Sequence, residues 1–346
     1  MAAGMDMFTV NAAFYGGTMS KMNYEPVFMK PYFQHNIWGG RKLETEFGFD
    51  IPDGDVGECW AVSAYPGCES VVSGGDFDGL KLSDMWAQQP EFFGDLPEAY
   101  RAAGYPFITK IIDAKNDLSI QVHPDDEYAG IHENGARGKT ECWYILDCPD
   151  DAELVLGHNA KTREEFTQMI EEKRWNDLLR RVRVRQGDFI QLEPGTIHAI
   201  TAGVMLLETQ QSSDVTYRLY DYDRLQNGKP RELHIRQSID VATIPAGDPE
   251  KLVKHTENAK PDEDAEIEKC KFYEILKLPV QCAAKLDEAD VFTIVTVTEG
   301  RGNLVMERSG SKYALRKGDS LILPAGWDNA CFDGNMNIIA ARSMRR

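Results

Sequence analysis

The alternation of polar and apolar residues along residues 118–124 predicts a strand with one polar face. Successive side chains of a strand point to opposite faces, so Ser119, Gln121 and His123 share one face and two aliphatic residues share the other. A hydroxyl, an amide and an imidazole in a row are expected of a barrel whose interior holds a metal or a ligand. An edge strand with its polar face in water would show the same pattern, so this stretch alone leaves both interpretations open.

Two later segments carry strand patterns that also bear polar side chains. Residues 138–146 are rich in aromatic and β-branched residues, and Lys139 shares a face with a glutamate and a tryptophan. Residues 187–199 predict a strand that enters a Pro-Gly turn and returns through a histidine. Four side chains from the three segments are therefore candidates to converge: Gln121, His123, Glu141 and His198. Zinc accepts such ligands and keeps a position open in catalytic sites, and two histidines with one carboxylate also suit non-haem iron.

Helical patterns interrupt the strands in two places. Residues 83–103 predict a small helical insertion beside a barrel, with Ser83 as its cap. In residues 162–180, Thr162 and Glu165 form a capping-box pattern ahead of apolar residues at helical spacing. The chain is therefore expected to be mainly β, with two short helical segments.

The sequence beyond residue 260 repeats an earlier pattern. Residues 261–268 are acidic and poor in apolar residues, which indicates a linker or loop, and short strands between Gly-rich turns follow. Residues 318–326 repeat the pattern of residues 187–195, which predicts a second barrel by internal duplication. Trp327 and the residues after it stand where a metal-binding histidine would be expected. This second copy is therefore expected to hold no metal.

Two polar residues in apolar strands have both a structural and a functional interpretation. Glu58, close to Trp60, is interpreted as a buried acid with a structural role. Lys110 stands among apolar residues, either as a lysine that reaches to the surface or as an inward ligand for phosphate. The remaining histidines are expected in loops or at the surface: His35, His132, His158, His234 and His255.

A strand is also expected near residues 214–221, where Thr216, Arg218 and Tyr220 share a face. An arginine on a strand usually lies at the surface or pairs with a nearby acid, and Asp214 or Asp221 would serve here. The alternation alone therefore does not assign a function to this arginine.

Composition and charge restrict the class of partner. The chain has 346 residues, of which 42% are hydrophobic, so it can bury a large core, and its net charge of −18 repels nucleic acid and anionic membranes. No apolar run approaches the roughly 18 to 20 residues of a membrane span. The seven cysteines include no CxxC pair, which favours reduced thiols in a cytoplasmic protein. Residues 1–21 lack a secretory signal and are expected to be a disordered extension or the result of an upstream start, since residues 22–26 resemble a natural beginning.

Six segments of the chain resemble a known family. A histidine after a short strand, a later glutamate and a G-D-x5-P-G-x-x-H segment are similar to the two metal motifs of the cupin fold. The closer resemblance is to type I mannose-6-phosphate isomerases in their short bacterial form. The matching segments lie in order over most of the chain: residues 37–40, 57–60, 118–126, 139–141, 194–199, and 212–214 with Arg218.

The resemblance implies two cupin (jelly-roll) β-barrels with a small helical insertion. Residues 22–260 would form the catalytic barrel, and residues 261–346 would form a barrel without a metal site. The family binds zinc, and the resemblance implies one zinc ion per chain, held by the following residues: Gln121, His123, Glu141 and His198.

The resemblance also implies roles for residues around the metal. Arg218 would be a fixed cation near the reacting oxygens, and Asp214 would be the acid that opens the sugar ring. Lys139 would steer protons if its pKa is depressed by the metal, or would bind phosphate instead. Ser119 and Lys110 are further candidates to bind the phosphate. The base that removes the proton from carbon 2 is not identified.

The implied reaction interconverts mannose 6-phosphate and fructose 6-phosphate through an enediol. Two alternatives remain open at this point: an Fe(II) oxygenase with the same metal ligands, and a cupin that binds phosphosugars without catalysis. The expected partner is a small sugar phosphate, with no nucleic acid and no membrane, in the cytoplasm. A homodimer is left open.

Overall fold

The computed structural model describes residues 25–327 and 329–344, and the extension predicted for residues 1–21 lies outside the described residues. The strands of the first two thirds of the chain are β1 (Val27–Lys30), β2 (Tyr32–Gly40), β3 (Val56–Ser63), β4 (Val71–Ser73), β5 (Phe107–Asp113), β6 (Ile120–Val122), β7 (Glu141–Asp147), β8 (Glu153–His158), β9 (Leu179–Arg183), β10 (Asp188–Leu192), β11 (His198–Ala199), β12 (Met205–Gln211), β13 (Tyr217–Tyr220), β14 (Leu225–Gln226) and β15 (Lys229–Pro230). The later strands are β16 (Val253–His255), β17 (Ala265–Lys269), β18 (Tyr273–Val280), β19 (Ala283–Leu286), β20 (Thr293–Met306), β21 (Lys312–Arg316), β22 (Ser320–Leu323) and β23 (Ala330–Ser343). The predicted mainly-β class is confirmed.

Three sheets stack on one another. A five-stranded sheet of order β13-β6-β11-β8-β9 faces a seven-stranded sheet of order β16-β10-β7-β12-β5-β3-β2. A nine-stranded sheet follows the path β17-β18-β23-β20-β22-β1-β4, with β19 and β21 as branches. These strand orders form open sandwiches rather than the closed barrels that the resemblance implies.

Apolar side chains hold the stack together because each sheet buries a face. Ile145 of β7 and Leu156 of β8 belong to the cluster between the five- and seven-stranded sheets. The other face of the seven-stranded sheet packs Phe107 and Tyr144 in one cluster with Ile294 of the nine-stranded sheet. The five-stranded and seven-stranded sheets therefore enclose a layer of their own, which contains the candidate site.

The nine-stranded sheet combines strands from both ends of the chain. Val27 of β1 pairs with Ile322 of β22, and Phe28 pairs with Ser73 of β4. Hydrogen bonds therefore cross the division predicted between residues 260 and 261. The domain boundary at this point stays a prediction, and the nine-stranded sheet contains strands from both sides of it.

Helices occur in both segments that the sequence predicts to be helical. The α-helices are α1 (Lys42–Thr45), α2 (Leu82–Gln88), α3 (Glu98–Ala102), α4 (Asp126–His132), α5 (Arg163–Glu171), α6 (Trp175–Leu178) and α7 (Ile235–Val241), and the 3-10 helices are Gly75–Phe77, Pro90–Phe93 and Pro249–Leu252. The Thr162 hydroxyl accepts a hydrogen bond of 3.2 Å from the backbone N–H of Glu165, as the capping pattern predicts. None of the helices in the described ranges has the length and apolar character needed to cross a membrane.

His158 is buried, so its prediction as a loop or surface residue is wrong. It ends β8 with only 1% of its surface exposed, and Nε2 lies 3.0 Å from the backbone oxygen of Thr243. The ring packs on Phe166 of α5 with centroids 4.6 Å apart. A histidine with a satisfied ring nitrogen is thus part of the core, and its polarity alone gave no sign of this.

Candidate metal centre and active site

Strand pairing in the five-stranded sheet brings three candidate residues side by side. Gln121 of β6 is the direct partner of His198 on β11 and of Arg218 on β13. Direct partners in an antiparallel pair have their side chains on the same face of the sheet. Gln121, His198 and Arg218 therefore form a row that faces the seven-stranded sheet.

The Pro-Gly turn before His198 is tied to the other histidine segment. Gly195 has a φ of +84°, a conformation that glycine adopts without steric cost. Its backbone N–H donates a hydrogen bond of 2.9 Å to the backbone oxygen of His123. The turn thus holds the two histidine-bearing segments together.

His123, Glu141 and His198 form a buried cluster between the two sheets. Nε2 of His123 lies 3.5 Å from Oε2 of Glu141, and Nε2 of His198 lies 3.2 Å from Oε1. All three candidate ligand atoms lie within 4.8 Å of one another. Gln121 reaches the cluster as well, because its Nε2 lies 3.3 Å from Nε2 of His198. The four residues predicted to converge do so.

The backbone orients both imidazole rings. Nδ1 of His123 lies 2.9 Å from the Val215 carbonyl oxygen, and Nδ1 of His198 lies 2.8 Å from that of Thr196. Because a carbonyl oxygen only accepts, each Nδ1 carries the proton and each Nε2 keeps a lone pair for a ligand. Burial lowers the pKa of His123 to about 4 and also lowers that of His198, which favours neutral rings.

The cluster contains acceptor atoms without hydrogen bonds. Nε2 of His123 and Oε1 of Glu141 are buried and lack a hydrogen-bond partner among the described residues, whereas Oε2 of Glu141 faces the Lys139 ammonium. Buried acceptors of this kind are uncommon in folded proteins unless an ion or water completes them. Two imidazole nitrogens and a carboxylate are zinc ligands, so the donor set fits a divalent metal.

Lys139 forms a buried ion pair with Glu141. Its Nζ lies 2.9 Å from Oε2 of Glu141, and their side chains are 5% and 0% exposed. Burial alone would raise the pKa of Glu141, but the adjacent Lys139 ammonium holds it well below its usual range. Burial alone would lower the pKa of Lys139, but Glu141 and Glu208 raise it instead. The pair therefore stays charged, and Lys139 provides a fixed positive charge next to the cluster.

A cavity of about 490 Å³ opens beside this cluster. All five residues predicted for catalysis or substrate binding line it: Lys110, Ser119, Lys139, Asp214 and Arg218. Gln121 lines it too and connects the cavity with the metal-ligand cluster. The sequence-derived candidates therefore surround a single space.

Lys110 is buried in this wall rather than extended into solvent. Its Nζ lies 3.6 Å from Oε1 of Glu58, 3.8 Å from Oε2 of Glu208 and 3.9 Å from the centre of a Trp60 ring. Nε1 of Trp60 also donates a hydrogen bond of 3.0 Å to Glu58. Glu58 itself lines the cavity, so a purely structural role for this acid does not account for its place in the cavity wall.

Glu208 is a cavity residue that the sequence reasoning missed. It lies on β12 directly opposite Lys110 and Trp143, and Nε1 of Trp143 donates a hydrogen bond of 3.0 Å to its Oε1. Burial raises the pKa of Glu208 to about 7, against the opposing effect of Lys139. Its signal in the sequence is a lone carboxylate inside an otherwise apolar strand, which rarely stays buried without a partner.

Arg218 makes no ion pair with the acids predicted for it among the described residues. Its Nη1 donates a hydrogen bond of 2.9 Å to the backbone oxygen of Glu232, and its Nε is buried without a partner.

The register of β13 shifts between Arg218 and Tyr220, and the Tyr220 ring stacks on the Trp175 ring with centroids 4.4 Å apart. The predicted shared face holds for Thr216 and Arg218, which line the cavity, and is wrong for Tyr220.

Within the described ranges, this cluster is the only group of three metal-ligating residue types close enough to share an ion. The nine-stranded sheet carries no such group in its described part, and residue 328, which directly follows Trp327, lies outside the described residues. The metal-free second copy stays a prediction.

Two family models match the chain. Residues 27–150 match phosphomannose isomerase type I, catalytic domain, and residues 264–343 match mannose-6-phosphate isomerase, cupin domain. The second match confirms the predicted cupin fold.

Relatives match over nearly the whole chain. Mannose-6-phosphate isomerase ManA of Bacillus subtilis is 46% identical over 322 residues, which are 92% of this chain and 99% of that protein. Mannose-6-phosphate isomerase of Streptococcus mutans is 42% identical over 320 residues, 92% of this chain and 98% of that protein. The solved mannose 6-phosphate isomerase from Bacillus subtilis superposes with a TM-score of 0.82 at 39% identity, covering 92% of this chain and 99% of that chain.

A more distant solved structure shares the fold. It is a mannose 6-phosphate isomerase bound with zinc and yttrium, with a TM-score of 0.75 at 17% identity over 92% of this chain and all of that chain. Two family models and relatives above 40% identity over nine tenths of the sequence agree. The chain therefore belongs to the type I mannose-6-phosphate isomerases, a family of enzymes.

Proposed function

We propose that this enzyme interconverts mannose 6-phosphate and fructose 6-phosphate, with one zinc ion per chain. The observation that carries the proposal is the buried His123, Glu141 and His198 cluster, which has unsatisfied acceptors beside a cavity lined by cations. The names of the relatives support the substrate. The zinc named for a distant solved relative supports the metal.

The proposed metal ligands are His123, Glu141, His198 and Gln121. The amide nitrogen of Gln121 faces His198, and a half turn of this amide would present its oxygen to the ion instead. When bound, the ion supplies positive charge that stabilises a developing negative charge on a substrate oxygen.

Arg218 and Lys139 are the proposed electrostatic groups of the reaction. When a base removes the proton from carbon 2, negative charge grows on an adjacent oxygen as the enediol forms. A fixed cation in a site with little water lowers the energy of that charge, because the site needs no reorganisation during the reaction. Arg218 stands beside Gln121, and Lys139 is held charged by Glu141. These positions support the proposal that both groups act on the reacting oxygens.

Proton transfer is assigned to two carboxyl groups. Asp214 is exposed at the cavity wall, which suits a group that exchanges protons with water while the sugar ring opens. Glu208 has a pKa of about 7, and a general base works best when its pKa lies near the working pH. We therefore add Glu208 to the sequence-derived set as the base for carbon 2.

Ser119 and Lys110 are the proposed substrate-binding residues. Both line the cavity, and the positive charge of Lys110 is shared between Glu58 and Glu208. All seven cysteines are free thiols, which supports a reducing compartment such as the cytoplasm. A homodimer stays a prediction from the sequence.

A coupled assay tests the proposed function against its two alternatives. The isomerase should form fructose 6-phosphate from mannose 6-phosphate without consuming oxygen, and elemental analysis should find zinc. An Fe(II) oxygenase would consume oxygen and lose activity when iron is removed. A binding protein would retain the phosphosugar and show no turnover.

A further inference from the structure

A buried carboxylate behind the cavity wall holds two arginines. Asp221 is 4% exposed, and its two oxygens accept hydrogen bonds from Nε of Arg231 at 2.8 Å and from its Nη2 at 2.5 Å. Nη2 of Arg224 donates a further hydrogen bond of 2.6 Å to the same carboxylate. Two parallel bonds between a guanidinium and a carboxylate fix the orientation of the arginine as well as its position.

Only one of these two arginines lines the cavity. Arg231 lies in the cavity wall together with Arg218, whereas the remaining donors of Arg224 are used by backbone oxygens of Asp117 and Asp221. No described residue accepts a hydrogen bond from the third guanidinium nitrogen of Arg231. The Nε of Arg218 is buried and also has no acceptor. Two cavity arginines therefore keep N–H donors that a ligand would satisfy.

The part of the cavity next to the metal-ligand cluster offers no unpaired lysine. Lys110 is placed between Glu58 and Glu208, and Lys139 pairs with Glu141. The zinc ion of the proposed function would balance Glu141 there and act on the reacting oxygens. Neither lysine therefore keeps an unpaired charge for a phosphate.

The end of the cavity beyond Arg218 has the opposite character. Arg218 and Arg231 line it together with the carboxylate of Glu232, whereas Asp221 and Arg224 pair with each other behind this wall. Two lining cations against one lining carboxylate leave an excess of one positive charge. The negative charge of a phosphate is therefore favoured at this end, away from the metal-ligand cluster.

We infer that Arg231, positioned by Asp221, binds the phosphate group of the substrate. The planar guanidinium matches the geometry of phosphate oxygens, and its orientation is set before the ligand arrives. The strand pairing of His198 with Gln121 and of Gln121 with Arg218 puts Arg218 on the far side of Gln121 from His198. Arg218 in turn donates a hydrogen bond to the backbone oxygen of Glu232, the residue next to Arg231. The reacting carbons would thus lie at the cluster and the phosphate at Arg231. This inference rests on the proposed function.

Binding measurements on the zinc-loaded protein test the inference. Isothermal titration calorimetry with mannose 6-phosphate, inorganic phosphate and mannose should show that Arg231→Gln weakens both phosphate ligands by about 10- to 100-fold, since a charged hydrogen bond is lost. Mannose affinity should not change. The matched control is Arg224→Gln, which removes the other arginine on Asp221 and should change phosphate affinity by less than about threefold.

Three results would overturn the inference: unchanged phosphate affinity in Arg231→Gln, an equal loss for mannose, or an equal loss in Arg224→Gln. If Arg231→Gln does not fold, Arg231→Lys decides instead. A loss of phosphate affinity of about threefold or more in that variant supports the inference, and an unchanged affinity overturns it. Absence of turnover in a wild-type protein whose phosphate affinity depends on Arg231 would contradict the proposed function alone.

Discussion

His123 and His198 lie with their ring centroids 4.9 Å apart, and each ring is tied through Nδ1 to a backbone oxygen. This arrangement directs both Nε2 atoms toward Glu141. Two lone pairs and a carboxylate then face a common point, which is the geometry that a divalent cation requires. The backbone thus prepares the site before any metal binds.

The first prediction concerns the metal. His198→Ala removes a direct ligand, so it should lower zinc affinity by at least about 100-fold. Loss of a group that only hydrogen-bonds to a metal ligand already lowers metal affinity by about 10- to 100-fold. Elemental analysis after dialysis measures the zinc that stays bound. His255→Ala is the control, since His255 pairs with Asp188 away from the cluster. Full zinc content in His198→Ala would show that His198 is not a ligand.

The second prediction concerns the buried ion pair of Lys139 and Glu141. Lys139→Met should lower the free energy of unfolding of the metal-free protein by about 3–5 kcal/mol, because it leaves a buried carboxylate without its partner. The loss should be smaller in the zinc-loaded protein, since the ion then balances Glu141. Urea unfolding with and without zinc measures both values. Equal losses of unfolding free energy with and without zinc would contradict the claim that the ion and Lys139 both balance the charge of Glu141.

The third prediction separates metal binding from catalysis. Arg218→Ala should keep its zinc and lose kcat by at least about 100-fold, the usual effect of removing one group that stabilises a developing oxyanion. Arg316→Ala is the control, because the Arg316 side chain lies on β21 of the nine-stranded sheet and is 74% exposed. A fully active Arg218→Ala variant would remove this arginine from the mechanism.

The fourth prediction concerns the pH dependence of activity. A base acts in its deprotonated form, so kcat/KM should rise with pH as Glu208 loses its proton around pH 7. Below this pH the carboxyl is protonated because burial has raised its pKa. Glu208→Gln should abolish this limb of the pH profile and lower kcat by about 100-fold or more. If kcat/KM of Glu208→Gln still rises around pH 7, the titration belongs to another group.

Much of the site was predictable because its residues follow local periodicity. Gln121 points to the cavity while Ile120 and Val122 lie in an apolar cluster on the other face of the sheet, as period-two alternation requires. His198 follows a turn that Pro and Gly mark in the sequence. Such signals depend on neighbouring residues only, so a single sequence contains them.

The parts that escaped prediction depend on contacts between distant segments. The raised pKa of Glu208 follows from its burial among strands that are distant in sequence, against the opposing effects of Lys139, Lys110 and Trp143. The shift of register after Arg218, which turns Tyr220 away from the cavity, leaves no mark in the alternation. The pairing of β1 with β22 joins residues almost 300 positions apart. Tertiary packing decided each of these features.

The central claim is that one metal ion in the His123, Glu141 and His198 cluster supports isomerisation of mannose 6-phosphate. The most direct measurement is the rate of fructose 6-phosphate formation by protein loaded with one zinc ion per chain, by the same protein stripped with a chelator, and by His198→Ala. We predict turnover in the loaded protein, loss on stripping, recovery when zinc is returned, and no recovery in His198→Ala. Isomerisation at an undiminished rate in the stripped protein or in His198→Ala, or none in the loaded protein, would contradict the claim.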